Sequence, residues 1–133
     1  MDIHTKVPTN YGDWEQRFGA LWQDQVARAR TRFGEAIQEV RMPGEYPVDV
    51  PVLYVSRESV IPCLEFLKNE PGFEYGFLAD LTATDEEVAP RFEVVYNLLS
   101  HKTHARIRVK VRLAEGTEMP TAVPVWTGAD WAE

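Results

Sequence analysis

The chain is expected to fold as a single two-layer α/β (α+β) domain, with helices on one face of a mixed sheet. Three observations predict it. An apolar stripe at helical spacing runs from about Asp13 to Phe33. Short apolar or alternating runs, punctuated by proline and glycine, follow it. Arg91 to Leu113 then reads as a β-hairpin with one oily and one charged face. The expected element order is α-β-β-α-β-β-β over one domain, residues 1–133.

In the first helix Trp14, Phe18, Leu21, Trp22, Val26, Ala29 and Phe33 fall three or four residues apart. Asp13 is placed as its N-cap, with Gln16 completing a capping-box pattern, and Gly34 as its left-handed C-terminal residue. The aromatic stripe could line a ligand groove; a helix docked on a sheet or on a partner is the simpler reading. Ala36 to Val40 alternates as a short strand. Pro43, Gly44, Pro47 and Pro51 mark a loop, and Val52 to Val55 is a second strand. Ser56 or Ser59 caps a second helix reaching to about Asn69, with Ile61, Leu64, Leu67 and Val60 facing inward and Pro62 in its first turn. Phe73, Tyr75, Phe77, Ala79, Leu81 and Ala83 alternate with polar or small residues as a half-buried strand. Asp85 to Pro90 is an acidic turn.

The hairpin specifies its own register. If His101 and His104 flank a Lys102-Thr103 turn, Phe92 faces Leu113, Val94 faces Val111, Tyr96 faces Val109 and Leu98 faces Ile107, all apolar. On the other face Glu93 meets Arg112, Val95 meets Lys110, Asn97 meets Arg108 and Leu99 meets Arg106. A slip by one residue would mix the two sets. Lys-Thr is not a favoured two-residue turn, so a longer loop with the same register is the alternative.

The composition bounds the function. A hydrophobic fraction of 44% and a charged fraction of 26% are ordinary for a soluble globular domain. No apolar run approaches the roughly 18 residues of a membrane span, and MDIHTKVPTN lacks a signal-peptide core, so the chain is expected to stay where it is made, with no direct membrane span. A net charge of −7 disfavours wholesale nucleic-acid binding. The single cysteine, Cys63, excludes an internal disulfide and a thiol cluster. It reads as a small buried side chain rather than a reactive thiol, because no His, Lys or Arg stands near it in sequence.

Arg106, Arg108, Lys110 and Arg112 form a basic stripe. It is either a solvated face partly neutralised by Glu93, or a docking surface for an acidic partner; nucleic acid is a third reading, without an aromatic stacking platform on that face. His101 and His104 lack a third ligand for a metal. Asp80 has no evident partner, and Asp85, Glu86 and Glu87 read as a solvated loop. There is no phosphate loop, no nucleophile elbow and no CxxC.

FLADLTATD (Phe77 to Asp85), RFEVVYNLLS (Arg91 to Ser100), RIRVKVRL (Arg106 to Leu113) and PTAVPVWTGADWAE (Pro120 to Glu133) together resemble the C subunit of NADH:quinone oxidoreductase, a hydrophilic subunit of respiratory complex I. Upstream, RFGEAIQEV and VPVLYVSRESVIPCLEFLKN look like the opening of the same family, so the resemblance spans about residues 30 to 133. It implies a non-catalytic structural and assembly subunit that supports electron transfer from NADH to quinone and the coupled proton translocation. It further implies a peripheral position on the cytoplasmic side of a bacterial inner membrane. The implied partners are other hydrophilic-arm subunits, chiefly the quinone-site subunit, and not nucleic acid. No cofactor is expected on this chain; NADH, flavin, iron–sulfur clusters and quinone belong to partner subunits, and the lone cysteine agrees, since a cluster needs about four. No catalytic or metal residue is assigned. Candidate docking residues are Glu93, Arg106, Arg108, Lys110, Arg112, Trp126 and Trp131. In the family the segment reading ADWAE here continues into an Arg-Glu-x-aromatic-Asp-x-x-Gly stretch that helps engage the quinone-site subunit; this sequence stops at Glu133, so partner binding by this stretch alone is expected to be incomplete. The competing readings are the matching subunit of a membrane-bound hydrogenase-type complex, and a stand-alone small ligand-binding domain built on Trp14, Trp22 or Tyr75.

Overall fold

A computed structural model describes residues 9–85 and 92–114, with side chains over 14–84 and 92–114. The expected element order holds: α1 (Thr9–Phe33), β1 (Ile37–Arg41), β2 (Val52–Val55), α2 (Val60–Asn69), β3 (Phe77–Asp85), β4 (Phe92–Leu99) and β5 (Arg106–Leu113). Short 3-10 turns at Gly34–Ala36 and Arg57–Ser59 lead into β1 and α2. The sheet is mixed, in the order β1-β2-β5-β4-β3, with β2 and β5 parallel and every other pair antiparallel.

Helix α1 begins at Thr9, four residues ahead of the expected cap, so Asp13 lies within the helix. The apolar period starts only at Trp14, which is why the first turn left no trace in the pattern. Gly34 ends the helix at φ +57, a conformation glycine adopts without steric cost. Ala36 belongs to the following 3-10 turn, and β1 runs one residue further, to Arg41.

Both helices cover the same face of the sheet. Phe18, Trp22 and Ala29 of α1 are buried, as are Val60, Cys63, Leu64 and Leu67 of α2. Most of these meet Leu53, Val55, Tyr96, Leu98, Ile107, Val109, Val111 and Leu113 in one hydrophobic cluster. Full burial of each large aliphatic side chain contributes about 1.5–3 kcal/mol, so this layer dominates the stability. Pro62 is the third residue of α2 and exposed, where a missing N–H costs no hydrogen bond. Ser59 occupies the N-cap position of α2, without a side-chain capping bond.

The strand expected from Phe73 is corrected at its start. Residues 71–73 form a turn and 74–76 an irregular stretch, with Gly72 at φ +88 and Glu74 at φ +54, and β3 starts at Phe77. Phe73 and Tyr75 are fully buried by that segment rather than by a pleat. A bulge between Leu78 and Asp80 then shifts the register by one residue. Phe77 is consequently exposed, Leu78 packs against the core, and Leu81 keeps its inward place, whereas Ala83 is exposed. A period-two reading cannot see a bulge, because the inserted residue reverses the parity.

The hairpin register is borne out along its whole length, from Phe92 opposite Leu113 to Leu99 opposite Arg106. Its tip is the longer loop: Ser100 N–H donates to the Ala105 carbonyl (2.9 Å), so His101 and His104 lie inside the loop rather than flanking a two-residue turn. Ser100 Oγ accepts from the N–H groups of Lys102 (3.2 Å) and Thr103 (3.0 Å). The acidic segment Asp85 to Pro90 lies outside the described side chains.

Candidate functional site

The sheet face turned away from the helices is built in rows across the strands. In the central row Glu39, Tyr54, Lys110, Val95 and Thr82 are successive neighbours. Beside it run Arg41, Val52, Arg108, Asn97 and Asp80 on one side, and Arg112, Glu93 and Thr84 on the other. A bulge between Ile37 and Glu39 sets this parity on β1: Ile37 and Val40 turn to the core, and Glu39 and Arg41 join the polar face.

Most charges on this face are paired. Lys110 lies 3.3 Å from Glu93, and Arg108 lies 3.5 Å from Asp49 while its Nε donates to Asn97 Oδ1 at 2.7 Å. Arg112 donates to Glu39 and reaches Glu93 at 4.0 Å; Glu39 also accepts from Arg41 Nε at 2.6 Å. Hydrogen bonds from Arg112 and then Arg41 hold the Glu39 carboxyl below its ordinary range, and the bond to Glu39 raises Arg41. Arg108, Lys110 and Arg112 of the stripe are therefore part of a network whose acids are Glu93 of the hairpin and Glu39 and Asp49 from distant segments.

Beneath this network Tyr54 is 2% exposed, with Arg112 3.9 Å, Arg41 5.0 Å and Lys110 5.8 Å from its ring centroid. These three cationic head groups lie against the ring, and its sheet neighbours Val52 and Val95 are likewise buried. Arg106 differs from the other cations. It is exposed, and its side chain has no ion pair or hydrogen bond among the described residues.

The other sequence candidates are dispersed. His101 is exposed and tilted against Phe77 (ring centroids 5.5 Å apart), and His104 is exposed at φ +68; among the described residues no group of His, Cys, Asp or Glu could hold a metal ion. Cys63 is fully buried, which pushes its thiol up to about 12. Asp80 is exposed on the β3 bulge. Trp22 and Tyr75 are closed into the core rather than lining a ligand groove, while Trp14 borders a cleft at one end of the sheet. Trp126 and Trp131 lie outside the described residues. Sequence reading missed Glu39, Arg41 and Asp49 as members of the charged face, since only the strand order brings them to the hairpin.

Among the described residues this side of the small α+β domain is thus a largely self-neutralised polar sheet face. Residues 53–133 match the family described as respiratory-chain NADH dehydrogenase, 30 Kd subunit. The chain is 42% identical over 106 residues to the NADH-quinone oxidoreductase C subunits of Brucella ovis and of Brucella canis, and 41% identical to that of Brucella abortus, covering 78% of this chain and 50% of each relative. The chain thus belongs to the 30 kDa subunit family of respiratory-chain NADH dehydrogenase. It spans about half the length of the curated relatives it matches. Among the described residues no helix is long and apolar enough to cross a membrane.

Proposed function

We propose that the chain is a non-catalytic structural and assembly subunit of an NADH:quinone oxidoreductase, supporting electron transfer from NADH to quinone and the coupled proton translocation. It braces the hydrophilic arm on the cytoplasmic side of a bacterial inner membrane and docks chiefly on the quinone-site subunit. Flavin, iron–sulfur clusters, NADH and quinone are held by partner subunits. The single observation that carries this reading is the family match, together with the 42% identity to proteins named as the C subunit of this oxidoreductase. The polar face supports it physically: Glu93, Arg106, Arg108, Lys110 and Arg112 lie on one side of the sheet, in an ordered charged array suited to orienting a complementary partner. Trp126 and Trp131 complete the proposed docking set.

The test is deletion of the gene followed by complementation with the tagged full-length protein. Loss of membrane NADH:quinone activity on deletion, its return on complementation, and co-purification of flavin- and cluster-bearing subunits are expected. Full activity in the deletion strain, or a tagged protein that brings down none of those subunits, would overturn the proposal.

A further inference from the structure

Among the described residues two charges of the polar face are left unpaired, and both stand around one cleft. Arg106 of β5 and Asp80 of β3 are both exposed, and neither side chain has a hydrogen bond or ion pair among the described residues. The cleft has a volume of about 240 Å3 and draws its walls from separate parts of the chain: Trp14 of α1, Asp49 ahead of β2, Ala79 at the β3 bulge and Asn97 of β4. Its shape has two local causes. The bulge between Leu78 and Asp80 breaks the regular β3–β4 ladder, a device that re-aims side chains. On the opposite side, β2 first pairs with β5 at Val52–Arg108, and Asp49 is held back on Arg108. Arg108 is thereby engaged in the wall, with Asn97 as its second partner. What remains for a visitor is one cation and one carboxylate.

We propose that this cleft anchors the docking face by receiving a projecting loop of a neighbouring protein subunit. That loop carries an acidic side chain for Arg106 and a basic one for Asp80. A lone acid would meet Asp80 as well as Arg106, so the arrangement favours a partner bearing both signs. A protein loop fits better than a small zwitterion. Asn97, Arg108 and Asp80 belong to one row of the polar face, so the cleft is continuous with it, and its unpaired charges lie in solvent rather than in a desolvated pocket. The inference rests on the reading of the chain as a docking subunit and names where that docking is fastened.

The experiment uses the tagged full-length protein in its native strain, with Arg106→Glu, Asp80→Arg, the milder Arg106→Gln and Asp80→Asn, and Arg30→Glu on the exposed side of α1 as control. The neighbouring subunits retained per tagged chain are quantified at low and moderate salt. Each reversal is expected to lower retention about tenfold, the neutral variants less, and the control not at all, with thermal midpoints unchanged. Retention by both reversals at the wild-type level would overturn this inference while leaving the docking reading standing. An equal loss in the Arg30 control would overturn it as a mere net-charge effect. Failure of the wild-type protein to retain any neighbour would overturn both. A rise in the thermal midpoint of the purified full-length protein with millimolar free glutamate or arginine, abolished by the Arg106 variants, would replace the loop by a small-ligand site.

Discussion

The Arg112 guanidinium lies 3.9 Å from the Tyr54 ring centroid while one of its nitrogens donates to Glu39. Two contacts of different kind thus converge on one planar group, and they predict a graded mutant series. Tyr54→Ala removes a buried aromatic ring and is expected to cost about 3 kcal/mol. Arg112→Ala should cost about 1 kcal/mol, and Arg112→Lys part of that, because an ammonium neither stacks nor forks. Tyr54→Phe should stay within about 0.5 kcal/mol, since the hydroxyl makes no hydrogen bond among the described residues. Urea midpoints at constant slope read the order directly.

Glu39 makes the same network pH-sensitive. Its carboxyl is held low in the folded protein by Arg112 and Arg41, so below about pH 4.5 the unfolded chain takes up the proton first. The contribution is present above the ordinary carboxylate value and is lost as pH falls through the lowered folded value. Stability measured from pH 7 to pH 3 should therefore decline less steeply in Glu39→Gln than in the wild type, although Gln is less stable at pH 7. Parallel curves for the two proteins would show that the ion pairs are too well screened to matter.

A second polar contact sits where the fold can least tolerate its loss. Tyr75 Oη donates to Gln25 Oε1 at 2.6 Å, and Gln25 Nε2 donates to the Gly72 carbonyl at 2.9 Å, joining α1 to the turn ahead of β3. Both residues are fully buried, and burial raises the Tyr75 phenol despite the partial offset from Gln25 and the nearby Trp22 N–H, which itself lies outside hydrogen-bond geometry. Tyr75→Phe leaves the Gln25 oxygen buried without a donor and should cost about 1–3 kcal/mol. Because the folded phenol is raised, the unfolded chain ionises first, so wild-type stability should fall as pH climbs past about 10, and less so in Tyr75→Phe. Denaturant melts at pH 8 and pH 10.5 distinguish the two proteins.

The elements differed in how legible they were, for identifiable reasons. In the hairpin the alternation of β4 and β5 admits one register, because a slip would set Glu93 among the oily residues of the opposite strand. Alternation misplaced the start of β3, since Phe73 and Tyr75 continue its rhythm while occupying the turn and irregular stretch ahead of it, and the Ala79 bulge reverses parity midway. The basic stripe was visible, but its neutralising acids were not: Glu39 reaches Arg112 across a gap of 73 residues in sequence, and only the order β1-β2-β5 makes them neighbours. Gln25 carried no signal, because a polar residue at the edge of an apolar stripe ordinarily faces water.

Cys63 offers a sharp contrast between folded and unfolded states. With its thiol pushed up to about 12, only about one molecule in ten thousand is thiolate at pH 8. Burial on the inner side of α2 closes off reagent as well. A maleimide or aromatic disulfide reagent should leave the native protein unlabelled over hours and label it within minutes in 6 M guanidinium on the order of a normal thiol. Rapid native labelling would mean that α2 opens locally at small free-energy cost.

The hairpin loop carries two opposed effects within five residues. Ser100 is fully buried, and its hydroxyl oxygen is the acceptor for two loop N–H groups, so Ser100→Ala should cost about 1–2 kcal/mol as those donors lose their partner. His104 holds φ +68, a conformation costing a side-chain-bearing residue about 1–2 kcal/mol relative to glycine, which enters it freely. His104→Gly gives back part of that through the greater freedom of its unfolded chain. The net expectation is a gain of about 0.5–1 kcal/mol, with Asn giving a smaller one. His104 N–H also donates to the Ser100 carbonyl, so the two sites touch and their effects should not add. A double-mutant cycle in urea therefore tests more than either single change: strict additivity would mean that the loop relaxes at each site independently. A destabilised His104→Gly would show that the imidazole makes a contact outweighing the strain of its backbone.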